Sequence, residues 1–155
     1  MIRVQEDDFD IGAELARLTA DRTDLGAVVT FTGTVRGGVG EDAIEEMTLE
    51  HYPGMTEAEL ERVEAEARAR WPLAASLIVH RTGRLEPGDN IVLVITASAH
   101  RRAAFEAAEF LMDYLKTSAP FWKREVSGGQ ARWVEARESD DADAKRWKTP
   151  RKAAE

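Results

Sequence analysis

From Asn90 to Ala99 the chain reads NIVLVITASA, an almost wholly apolar run of strand length. A strand with one wet face alternates polar and apolar residues, and this run does not, so both its faces need cover. The run therefore predicts a central strand in its sheet. Glu86-Pro87-Gly88-Asp89 before it reads as a turn.

The flanking elements follow from local patterns. Asp10 can cap a short helix over IGAELARLTA, with Ile11, Leu15 and Leu18 at helical spacing. GAVVTFTGTVR predicts a buried strand from Gly26 to about Arg36, ending in a loop with Gly37, Gly38 and Gly40. A strand from about Ala43 to His51 is expected to pair with it as a hairpin and to stop at Pro53-Gly54. Thr56 and Glu59 form a T-x-x-E capping box opening a helix to about Trp71, which Pro72 ends. AASLIVHRTG is a third strand. A long helix covers about His100 to Thr117, capped by Ser98 and broken at Ser118-Ala119-Pro120. PFWKREV and ARWVEAR predict a final hairpin, turning at residues 127–130. Beyond Glu138 the chain is polar and charged. The fold class expected is α+β: a mainly antiparallel sheet with helices on one side, plus a small β subdomain. Residues 1–147 make one domain and 148–155 a charged C-terminal tail.

Composition narrows the functional classes. The 155 residues suffice for one hydrophobic core. No apolar run reaches the roughly 20 residues that span a bilayer. The acidic start MIRVQEDDFD has no signal-like apolar region, so a cytoplasmic location is expected. With no cysteine, the chain offers no thiolate metal site, cysteine nucleophile or persulfide carrier. His51, His80 and His100 lack the i, i+4 spacing of a helical zinc motif, so neither metal nor cofactor is expected. The formal net charge of −8 argues against general nucleic-acid binding.

Within this acidic chain, cations gather locally. Ser98 to Arg137 holds seven Lys/Arg against five Asp/Glu, while Glu41 to Glu66 holds one against ten. A concentration of like charge against the background marks an anionic-ligand site; the alternative is a solvated helix face. On a helical wheel Arg101, Phe105, Ala108, Met112 and Lys116 fall within about 80°. Lys123 follows across the proline break and can fold back towards Lys116. A free lysine titrates near ~10.4, and neighbouring cations with partial burial lower that value, making an amine available as base or nucleophile. Arg36, where its strand enters the glycine loop, can clamp a phosphate bidentately or form a structural salt bridge. His100 at a helix start can donate to an anion, polarise a carbonyl or simply pack. Spacing identifies no partner for Arg137.

The blocks GAVVTFTGTVR, LEHYPGMTE, RWPL, HRTGRLEPGD, SAHRRAAFEAAEFLMDYLKTSAPFWKRE and RWVEARESD resemble the family of large, catalytic subunits of molybdopterin synthase. They occur in the expected order across most of the chain. The resemblance implies an α/β hammerhead fold. It also implies a reaction that installs two sulfurs, as a dithiolene, on a cyclic pyranopterin monophosphate. Sulfur would arrive as a thiocarboxylate on the C-terminal Gly-Gly of a small ubiquitin-like partner, in a heterotetramer built on a homodimer of this subunit. By motif, the resemblance assigns catalysis to Lys116 and Lys123. It assigns substrate binding to Phe31, Arg36, His100, Arg101, Met112 and Arg137, the last donated across the dimer. The absence of cysteine suits such a reaction, since another protein then carries the sulfur. A Schiff-base lysine enzyme working alone, and a non-catalytic module binding a C-terminal peptide, are the other readings of a basic lysine site.

Overall fold

The computed structural model describes residues 1–135 and 138–148. In it the apolar run forms β6 (Asn90–Ser98), flanked by β4 (Leu73–Arg81) and by β2 (Ala27–Thr34), both antiparallel to it. An element absent from the local patterns, β1 (Ile2–Gln5), adds to β4 in parallel, giving the order β1-β4-β6-β2. The central position of β6 is as expected, and the reason is visible in the two faces. Ile78, Val92 and Val94 join a core with Val63 and Ala67 of α2 (Met55–Arg70) and with Ala103, Ala107, Phe110 and Leu111 of α3 (Arg101–Thr117). Leu77, Val79, Leu93 and Ile95 point the other way, under Phe9 and the Ile11, Leu15 and Leu18 side chains of α1 (Ile11–Thr19). Each buried Val, Leu, Ile or Phe among these stabilises by about 1.5–3 kcal/mol before chain entropy is counted. Thr96 adds a buried polar tie, its hydroxyl donating to the Ala104 carbonyl at 2.6 Å.

A second sheet has the order β5-β3-β7-β8, made of β3 (Glu46–His51), β5 (Gly83–Leu85), β7 (Phe121–Ser127) and β8 (Gln130–Val134). Its core is Val35, Met47, Leu49 and Leu85, and Ile91 joins it to the main core. The β7–β8 hairpin closes on Gly128 and Gly129 with φ of 56° and 75°, the left-handed pair that a two-residue turn needs. The α+β class and the small β subdomain are thus as expected, but the helices do not all lie on one side. α2 and α3 share one face of the main sheet, and short α1 covers the other, because β4 and β6 are apolar on both faces.

Several local expectations are corrected. The strand after Gly26 is an edge strand, not a buried one: Val28 and Phe31 remain 37% and 40% exposed. It forms no hairpin with β3. The Val35 amide and carbonyl bond instead to the turn before β6, at Asp89 and Gly88, and Val35 enters the second core. From there the chain is committed to the other sheet, where β3 pairs with β5 and β7.

The cap of α2 is Gly54, at φ 85°, with the Glu57 carboxylate accepting from its amide at 2.7 Å. Thr56 points inward and is fully buried, while Glu59 accepts from Tyr114 and Arg62. The cap of α3 is His100; Ser98 still belongs to β6, and its hydroxyl donates to the Pro72 carbonyl at 2.8 Å. The acidic stretch after β8 forms α4 (Glu138–Lys145) and a 3₁₀ turn that seats Trp147 edge-on against Trp71 and Phe110.

Gly26 marks where β2 passes under the start of α3. A Cβ there would lie 2.1 Å from the Ala99 carbonyl oxygen, so the backbone must move to admit one. Gly26→Ala is expected to lower unfolding free energy by about 1–3 kcal/mol, measured by urea denaturation.

Candidate functional site

Because α3 leaves β6 and runs back along the sheet, its C-terminus arrives near the start of β6. The exit of β2 is there too, since Thr34 is registered with Asn90. Arg36 lies just past that exit and is exposed, and Lys116 occupies the last turn of α3. The chain then turns tightly: Ser118 and Ala119 donate to the Tyr114 carbonyl at 2.9 and 3.2 Å, and Phe121 donates to Ala119 at 2.8 Å. This turn starts β7, which carries Lys123. The structure therefore gathers Arg36, Lys116 and the head of β7 at one end of the main sheet.

Register places Phe121, Lys123 and Glu125 opposite His51, Leu49 and Met47, so these side chains share the inner face of the second sheet. The Lys123 ammonium is 3.5 Å from Glu125, whose carboxylate side chain is only 9% exposed and also lies 3.9 Å from Arg132. This nearly buried carboxylate holds the lysine in place.

The remaining residues named from sequence are distributed otherwise. His100 and Arg101 stand at the opposite end of α3, roughly 22 Å from Lys116 at 1.5 Å of rise per residue. With Arg102, Phe105 and Glu106 they line an open cleft of 660 Å³ beside Gly26 and Ala99. The wheel placed Arg101 and Lys116 on one stripe because it discards position along the axis. Of that stripe, Ala108 is buried, Met112 packs against the main core and Phe105 is 61% exposed. Phe31 is paired with Val94 on the edge strand. Arg137 lies outside the described residues.

Sequence reasoning missed three residues around the link between the lysines. His80, on β4, stacks on the Phe121 ring with centroids 3.8 Å apart and planes at 16°. Its Nδ1 is 2.8 Å from the Arg81 carbonyl oxygen, which requires an N–H there and leaves the lone pair on Nε2. Burial pushes the His80 imidazole down to about 4 from 6.5, and the charges of Lys116 and His51 act in the same direction. His51 is 6.4 Å from the same Phe121 ring. Thr56 accepts from the Tyr52 amide at 3.1 Å and donates to the Pro120 carbonyl at 3.3 Å. The available signal was a histidine at the end of the otherwise apolar strand LIVH, a polar group that must find partners inside.

The family model described as MoaE protein matches residues 4–118. A molybdopterin synthase catalytic subunit from Mesorhizobium japonicum is 57% identical over 150 residues, covering 96% of this chain and 93% of that protein. Among solved structures, a molybdopterin biosynthesis MoaE protein from Burkholderia ambifaria aligns at TM-score 0.81 and 53% identity, over 96% of this chain and 98% of that one. Molybdopterin synthase from Staphylococcus aureus aligns at TM-score 0.78 and 31% identity, over 86% and 96% of the two chains.

The neutral His80 has a consequence for stability. The unfolded chain takes up its proton near pH 6.5 while the folded chain resists until about pH 4. The contribution is fully present above pH 6.5 and is lost as pH falls towards 4, amounting to about 3 kcal/mol. Urea midpoints at pH 7 and pH 5 should therefore fall further for the wild type than for His80→Phe. Parallel falls would place the acid sensitivity elsewhere.

Proposed function

The chain belongs to the MoaE protein family, and on that premise we infer that it is the catalytic subunit of a molybdopterin synthase. In this reading it moves two sulfurs, one from each of two thiocarboxylated C-termini of a small ubiquitin-like subunit, onto a cyclic pyranopterin monophosphate, forming the dithiolene. What supports the reading within the structure is that the β2 exit before Arg36, the last turn of α3 with Lys116 and the start of the Lys123 strand lie at one end of the main sheet. Those cations suit a site that must accept both a phosphorylated ring and a polypeptide terminus. The chain has no cysteine to carry the sulfur itself, which agrees with delivery by a second protein.

The residues divide by chemistry. Lys116 and Lys123 do the central work. One amine shuttles a proton, or attacks the partner's thiocarboxylate carbonyl so that a C–N bond forms as the C–S bond breaks, the sulfur passing to the pterin and water later hydrolysing the amide. The other amine holds charge. Arg36 clamps the phosphate, and its guanidinium presents two parallel donors where a lysine would present a point charge. Phe31 and Met112 offer apolar surface to the ring. His100 and Arg101, a helix length away from Lys116, serve such a site from a second copy of the chain. Arg137 is assigned to the same cross-dimer role by its motif. The assembly proposed is a homodimer of this subunit with a small subunit on each copy. No helix among the described residues is long and apolar enough to cross a membrane, and a cytoplasmic location fits the reading.

The decisive experiment incubates the purified chain with thiocarboxylated small subunit and the pterin precursor, detecting dithiolene product by mass spectrometry. Product is expected only with both present. Lys116→Ala is expected to lower the single-turnover rate by at least about 10²-fold, with the complex between subunits intact on a sizing column. Near-normal sulfur transfer by that variant would remove the proposed role. Full activity on a carbonyl compound without the partner, trapped by borohydride, would replace the reading with a Schiff-base enzyme.

A further inference from the structure

The link from Ser118 to Phe121 joins the two lysines, and the groups that hold it have no part in the roles assigned above. Phe121 opens β7 with its ring parallel to His80, 3.8 Å between centroids. His80 belongs to β4, so this stack ties the second sheet to the main sheet at the end where α3 finishes. On the cross-strand side Phe121 is registered with His51 of β3. One residue earlier, the Pro120 carbonyl accepts from Thr56 at 3.3 Å, and Thr56 is itself held by the Tyr52 amide at 3.1 Å. Thr56 is wholly buried and His80 is 7% exposed. The link is therefore gripped from β4, from β3 and from the first turn of α2.

Such a grip matters because of what stands at its two ends. A lysine side chain is long and flexible, so the geometry of two amines depends first on where their backbones are fixed. A misplacement of about 1 Å in a reacting constellation can cost roughly 10²-fold in rate. His80 suits the task in two ways. Its Nδ1–H bond to the Arg81 carbonyl fixes the plane of the ring on which Phe121 lies. Its neutrality spares the nearby Lys116 a second cation at close range.

We propose that His80, together with Thr56, is a positioning residue of the lysine site: the His80–Phe121 stack and the Thr56–Pro120 bond fix the 118–121 link, and so set where Lys123 stands relative to Lys116. Neither residue touches the reacting atoms; both act through the link. The proposal rests on the sulfur-transfer reading and deepens it.

The test is single-turnover sulfur transfer in the assembled complex, with thiocarboxylated small subunit and pterin precursor, for wild type, His80→Ala, His80→Phe and Thr56→Val. The amplitude reports the fraction of folded, loaded sites, and the rate constant reports how well each is arranged. His80→Ala is expected to slow the rate constant by roughly tenfold or more at near-wild-type amplitude. Half-saturation by precursor should stay within about twofold, since ground-state binding is not what the link controls. His80→Phe, which keeps a flat ring for Phe121, should recover to within about threefold of wild type. Thr56→Val should slow the rate constant several-fold.

A wild-type rate constant in His80→Ala, or a loss confined to amplitude, overturns the proposal and leaves His80 a core residue. If His80→Ala does not fold, Thr56→Val decides: slowing at full amplitude supports the proposal, and an unchanged rate constant overturns it. If the wild type itself makes no product with both substrates present, the sulfur-transfer reading fails and the proposal falls with it.

Discussion

The antiparallel pairing of β4 with β6 is the constraint that fixes most of this molecule. Leu77 faces Ile95, Ile78 faces Val94 and Val79 faces Leu93, so both sides of the pair are apolar along its length. Neither side can be left to water, and the chain supplies α2 and α3 for one and α1 for the other. Once α3 must cover the face beside the strand it follows, its direction is set. It starts where β6 ends and finishes where β6 begins, which is also where β2 leaves the sheet. Lys116 acts on His80, and Arg36 leaves the sheet at the same end, for that topological reason, although the three are far apart in sequence.

Electrostatics around the lysines is governed by a few buried groups and not by the net charge. Glu125 is nearly buried between Lys123 and Arg132. Removing either cation would leave part of a carboxylate's charge uncompensated inside the protein, which costs more than the pair contributes. His80 solves the opposite problem by giving up its charge, since burial and the Lys116 ammonium both disfavour an imidazolium. The result is a neutral imidazole near one lysine and a nearly buried carboxylate beside the other.

Most elements could be read locally because their signals are local. Asp10 caps α1 as its side chain suggests, accepting from Ala13 at 2.8 Å, and the diglycine turn of the last hairpin declares its own geometry. Where reading failed, the competing partner was remote. Thr56 looked like a cap until Pro120, 64 residues away, took its hydroxyl. Ser98 looked like a cap until Pro72 did the same. The strand 46–51 reads identically whether its neighbour is β2 or β7, since alternation specifies which face is buried and not against which sheet. The α4 segment has little apolar pattern of its own. Trp147 holds the turn after it, through rings contributed by α2's end and α3.

The sequence by itself determined the class of fold, the central strand, the long helix with its proline break, and the identity of the two lysines and Arg36 as the residues to watch. Those follow from residue type, from short-range spacing and from motifs that survive in linear order. The tertiary structure decided which cations meet. It put Arg36 and Lys116 at the same end of the main sheet, sent His100 and Arg101 to the far end of the same helix, and placed His80, His51 and Thr56 around the link between the lysines. The physical reason is that charge and periodicity are written along the chain, whereas distance is set by how sheets and helices must stack to keep apolar faces dry.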